Sequence, residues 1–135
     1  MTEEAPTNGR TPVLGQILSA WESLGAPRTW DALTTVLGGL AESLCLITWR
    51  GSEGLPIIEQ AGVQAVMVQG TALVGCSADA LTPGRGDGAR EASRATQLMR
   101  PFTVEDAVHD RRIARLYLPL DGTSPVVACA VIRID

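Results

Sequence analysis

The sequence predicts an α+β domain built on one antiparallel sheet, and three observations carry that prediction. Apolar residues fall at helical spacing in the first third of the chain and at alternate positions in the last third. The closing segment, Val126 to Asp135, is apolar at both alternating sets of positions, so it belongs in the middle of a sheet covered on both sides. At 135 residues and 14.2 kDa there is room for one such domain.

The elements follow in order. Residues 1–11 are polar, punctuated by Pro6 and Asn8-Gly9, and predict a flexible tail. After Pro12, the residues Val13, Leu14, Ile17, Leu18, Trp21 and Leu24 form one stripe, an N-terminal amphipathic helix over 12–25 that Gly25-Ala26-Pro27 ends. The domain proper then spans 26–135. Thr29 is placed to cap a second helix, with Asp31 in its first turn and Leu33, Val36, Leu37 and Leu40 as its buried stripe.

Leu44 to Trp49 is a short apolar run that meets the turn signal Arg50-Gly51-Ser52-Glu53-Gly54, and Leu55 to Gln60 returns as the second strand of a hairpin. Between Ala61 and Gly75 the spacing of Val63, Val66 and Met67 favours a short helix over a strand. Thr82 to Gly88 is rich in Gly and Pro and reads as a flexible loop, followed by a helix over Glu91 to Arg100 that Pro101 stops. Phe102, Val104 and Val108 alternate with polar residues. Ala114, Leu116, Leu118 and Leu120 alternate with Ile113, Arg115 and Tyr117, and Asp121 to Pro125 turns the chain into the last strand.

Composition excludes several chemistries. All 11 basic residues are Arg, so there is no lysine for a phosphate-binding loop or a Schiff base. His109 is the one histidine, which leaves no His-rich metal site, and no Gly-x-Ser-x-Gly elbow is present. No enzyme is expected. The net charge of −4 and the scattered aromatics argue against a nucleic-acid surface. Cys45, Cys76 and Cys129 form no Cys-x-x-Cys pair and favour a reducing, cytoplasmic setting. The N-terminus is acidic, unlike a signal peptide, and no apolar run is long enough to enter a membrane.

Residues 30–135 resemble a PAS-type sensor domain. The segment Ala61 to Cys76 is similar to the stretch in which a short helix leads into a Gly-x-x-Leu-x-Gly turn, here Gly70-Thr71-Ala72-Leu73-Val74-Gly75. The ending is similar too, with Leu118-Pro119-Leu120, the Asp121-Gly122 turn and a last strand that closes at Asp135. The Trp-bearing segment Trp21-Glu22-Ser23-Leu24 resembles the PAS-like set of the alphaproteobacteria. The resemblance implies a five-stranded antiparallel sheet with helices on one face and, here, an extra N-terminal helix. It also implies a bacterial signal-transduction module that senses or binds a partner protein, commonly as a homodimer. A ligand-independent dimerisation scaffold of the roadblock-like type is the alternative.

Four groups of residues are candidates for sites. A small aliphatic ligand pocket is expected from Leu46, Met67, Leu73, Met99, Leu116 and Leu118. Leu14, Ile17, Leu18, Trp21, Val127, Cys129 and Val131 are expected to form an interaction or dimer face, with helix 13–24 lying on the sheet in cis or across a dimer. Arg111 and Arg115 match the first half of a PilZ-type anion-binding signature whose second half is absent; the plainer account pairs the arginines of this cluster with Glu105, Asp106 and Asp110. No cofactor is expected: His109 is displaced from the haem-ligating position of the family, and Cys76 lacks the flanking residues of a flavin motif.

Overall fold

The structure is a computed structural model that describes residues 12–83, 85–108 and 110–134. The expected tail over 1–11 and the reading of His109 fall outside those residues.

Helix α1 spans Pro12–Ser23 and buries Leu14, Ile17 and Trp21, the stripe set by its sequence spacing. Helix α2 spans Trp30–Leu37. The Thr29 hydroxyl accepts the Ala32 N–H at its start, and Gly38 ends it at φ +59. The chain then tightens into a 3-10 turn, Gly38–Ser43, so the expected stripe breaks up: Leu33 and Leu37 are buried, while Val36 is exposed.

Strands β1 (Leu44–Arg50) and β2 (Leu55–Ala61) form the hairpin, whose turn uses Gly51 and Gly54 at positive φ. Helix α3 spans Val63–Gln69 and stops at Gly70 in the left-handed region. A 3-10 turn, Ala78–Leu81, which the sequence did not announce, precedes helix α4, Gly88–Leu98. Helix α4 begins three residues before the predicted start because remote side chains cap it. Thr82 Oγ1 accepts the N–H groups of Asp87 and Gly88, and Asp79 Oδ1 accepts that of Ala89. A Cβ on Gly88 would stand 1.9 Å from the Ala78 carbonyl oxygen, so glycine there permits close packing. The described part of this segment is therefore tied down rather than a flexible linker.

Strands β3 (Phe102–Val108), β4 (Arg111–Leu120) and β5 (Val126–Arg133) complete a five-stranded sheet in the order β2-β1-β5-β4-β3. Every pairing is antiparallel. The doubly apolar β5 takes the central place that its composition predicts.

Side-chain alternation gives the sheet two apolar faces. Cys45, Ile47, Ile113, Tyr117, Val127, Cys129 and Val131 point to the inner face, against Ala65 of α3 and Ala92 and Ala95 of α4. Leu44, Leu116, Leu118, Ala128, Ala130 and Ile132 point to the outer face, under Leu14, Ile17 and Trp21 of α1 and Leu33 and Leu37 of α2. Helices thus cover both faces, and α1 lies on its own sheet, in cis. The clamp is specific: Trp21 Nε1 donates to the Pro119 carbonyl at 2.8 Å, and the Arg28 guanidinium lies 4.0 Å from the Trp21 ring centroid. Arg28 N donates to Asp121 Oδ2 at 2.7 Å, while Asp121 N donates to the Arg28 carbonyl at 2.8 Å.

This arrangement corrects the expected interaction face. Leu14, Ile17 and Trp21 are buried against the outer face and Leu18 is half-buried. Val127, Cys129 and Val131 are fully buried on the opposite face. Odd and even residues of one strand point opposite ways, so the seven cannot form one surface.

Candidate functional site

The inner face of β4 carries two large polar groups among apolar ones. Ile113, Arg115 and Tyr117 alternate with Ala114, Leu116 and Leu118, which places the guanidinium and the phenol beneath α4. Arg115 has no solvent exposure. Its Nε and Nη2 donate to Glu91 Oε1 and Oε2, both at 3.1 Å, in a bidentate pair. Tyr117 donates its hydroxyl to Glu91 Oε1 at 2.6 Å.

Glu91 reaches this point because it lies in the first turn of α4, where a negative charge also suits the helix dipole. Asp106 of β3 approaches from the other side, 3.6 Å from Arg115 Nη2. Arg85 closes the solvent side, 2.7 Å from Asp106 and 3.8 Å from Glu91, with its own side chain 45% exposed. Arg115 Nη1 is left buried without a hydrogen-bond partner.

The cluster continues across the sheet. Phe102, Tyr117, Cys129, Cys45 and Ala61 occupy one transverse row through all five strands. The Phe102 and Tyr117 rings stack at 5.2 Å. Burial would lower the Arg115 pKa, but the hydrogen-bonded Glu91 carboxylate and the other acidic neighbours more than offset it, and the group stays charged. Burial pushes the Tyr117 hydroxyl and the Cys129 thiol well above their ordinary values, and burial moves Cys45 from 9.0 to about 12. These thiols are neutral near pH 7 and poorly disposed to act as nucleophiles. Among the described residues, no three of His, Cys, Asp and Glu stand where they could share a metal ion.

The two expected anion-contacting arginines separate. Arg111 donates from Nη1 to the Val68 carbonyl at 3.0 Å and so caps the end of α3, whereas Arg115 is the centre of the buried cluster. The plainer pairing holds for Arg112 with Glu105 at 2.7 Å and at longer range for Arg115 with Asp106. It missed Glu91, the principal partner. An arginine at an inward position of an otherwise apolar strand, with a tyrosine two residues on, was the available signal that a buried acid must stand opposite.

The expected aliphatic pocket does not form as one lining. Leu116 and Leu118 lie on the outer face, as does Leu46, which pairs with Ala128. Leu73 lies on the inner face. Met67 and Met99 are 62% and 71% exposed. Helical and strand spacing identified these residues as apolar but left open which side of the sheet each would meet.

No family model matches the chain, and no curated protein matches it. Among solved structures it is similar to a domain of an HTR-like protein from Haloarcula marismortui, with a TM-score of 0.52 and 20% identity over 68% of this chain and 96% of that one. The shared feature is the fold: an α+β domain on a five-stranded antiparallel sheet, consistent with a PAS-like architecture.

Proposed function

We propose that this chain is a non-enzymatic PAS-like sensory and interaction module of bacterial signal transduction, working in the cytoplasm through a partner protein. The sheet order β2-β1-β5-β4-β3, with helices on both faces and a structural neighbour of the same architecture, is the observation that supports the reading. No helix among the described residues is long and apolar enough to cross a membrane. On this reading the module needs neither haem nor flavin, since the sequence lacks a histidine at the haem-ligating position of the family and the residues that flank a flavin-binding cysteine.

Strand β4 offers a route for a signal. Its odd residues hold the Arg115–Glu91–Tyr117 cluster, and its even residues Leu116 and Leu118 bear on the layer that contains α1. A change that repositions Glu91 therefore shifts the strand on which α1 rests. Surfaces other than the sheet's buried faces meet the partner or a second copy, because both faces are already covered.

The roadblock-like scaffold keeps one observation in its favour, the continuous apolar cluster buried on the inner face. Crosslinking of the tagged full chain in its source organism, followed by mass spectrometry, tests the proposal. A direct crosslink to a protein bearing a kinase, cyclase or response-regulator domain is expected. Crosslinks confined to a second copy of the chain would overturn the signalling reading in favour of the scaffold.

A further inference from the structure

The outer helical layer leaves a recess near the sheet's margin. Helix α1 packs over β4 and β5, and between α2, the 3-10 turn and the ends of β1 and β2 a groove of about 280 Å³ opens to solvent. Small residues border it, and Gly62 lets the β2 end cross close against the 3-10 turn. Ala41 and Ala61 line it, and a Cβ on Gly62 would stand 2.1 Å from the Glu42 carbonyl oxygen. Trp30 supplies an aromatic wall, and the two alanines form an apolar floor above the buried Leu44.

The polar lining has one sign. Glu42 contributes a carboxylate, Thr34 a hydroxyl and Gln60 an amide, and no arginine lines the groove. Glu42 makes no ion pair among the described residues. The Thr34 hydroxyl hydrogen is directed to the Trp30 and Asp31 carbonyls, so its oxygen lone pairs remain to accept. An anion would find no donor charge here. A primary ammonium brings three N–H donors for these oxygens, and an attached ring or short alkyl chain suits Trp30 and the apolar floor. The volume suits a fragment-sized molecule rather than a large ligand.

We propose that this groove binds a small organic ammonium ion, with its cationic nitrogen at Glu42 and its apolar body against Trp30. The groove lies at the β1–β2 margin of the sheet, apart from Arg115 on β4, and the proposal does not rest on the signalling reading.

Titration of the full chain with 2-phenylethylammonium, followed by amide and indole NMR shifts, tests it. Shifts centred on the Trp30 indole N–H, the Gln60 side chain and Gly62 are expected, with a dissociation constant on the order of 1 mM for so small a ligand. Glu42→Gln, a change at an exposed position that leaves the folded spectrum intact, should weaken binding about fivefold. The neutral 2-phenylethanol should bind more weakly by a similar factor, and phenylacetate should not bind. Equal binding of the alcohol, an unchanged affinity in Glu42→Gln, or shifts lying elsewhere on the molecule would each overturn the proposal.

Discussion

A guanidinium with no exposure to water survives only because Glu91 meets it with both carboxylate oxygens while Tyr117 donates to the same acid. Removing one partner of such a pair costs more than the pair itself contributes, since a desolvated charge is left behind. Glu91→Gln is therefore expected to lower unfolding free energy by about 3–5 kcal/mol in urea titration. The triple change Glu91→Leu, Arg115→Met, Tyr117→Phe should recover most of that loss, because the cluster then leaves no buried charge without its partner. A loss below about 1 kcal/mol in Glu91→Gln would show that water already shares the site.

At the scale of elements, the junction between α1 and the sheet is held by polar contacts as well as burial. The Trp21 indole N–H satisfies the carbonyl of Pro119, and the Arg28–Asp121 contacts fix the linker between α1 and α2 to the end of β4. Trp21→Phe keeps most of the apolar contact but leaves that buried carbonyl unpaired, so a loss of about 1–3 kcal/mol is expected. Hydrogen exchange should quicken in α1 before it quickens in β5, the central strand. Uniform acceleration across both would mean that α1 has no separate opening and that its docking is inseparable from folding.

For the whole molecule, the inner face stores three weakly acidic protons. Cys45 is raised from 9.0 to about 12, and Cys129 and Tyr117 are raised in the same direction. Below pH 9 both folded and unfolded chains keep these protons, and the full stability is present. Above it the unfolded chain releases protons that the folded chain retains, so stability falls as pH rises toward the folded pKa values. Cys45 alone accounts for as much as about 4 kcal/mol at about 1.4 kcal/mol per unit. Urea midpoints should be level from pH 7 to 8.5 and drop steeply by pH 11, with a shallower drop in Cys45→Ala. A flat profile would contradict the burial of these groups.

The sequence by itself determined the longer helices and strands and the central place of β5. Periodicity is a local property: a stripe at Leu14, Ile17 and Trp21 or an alternation at Ile113 to Leu118 marks a helix or strand without knowledge of its neighbours. It also restricted the chemistry, since absent lysine and a lone histidine are facts of composition. Element ends were less legible where remote groups set them, as at α4, which Thr82 and Asp79 start early, and at α2, which Gly38 stops early. The candidate sites were legible only as residue types. Arg115 was singled out, but Glu91 lies 24 positions away and joins it only when α4 crosses β4. The expected pocket and interaction face each mixed residues from both sides of the sheet, because apolar character is a property of a side chain and direction is a property of register. The covering of both faces, the pairing of Arg115 with Glu91 and the groove beside Trp30 were decided by tertiary structure, since each depends on which elements the sheet order brings together.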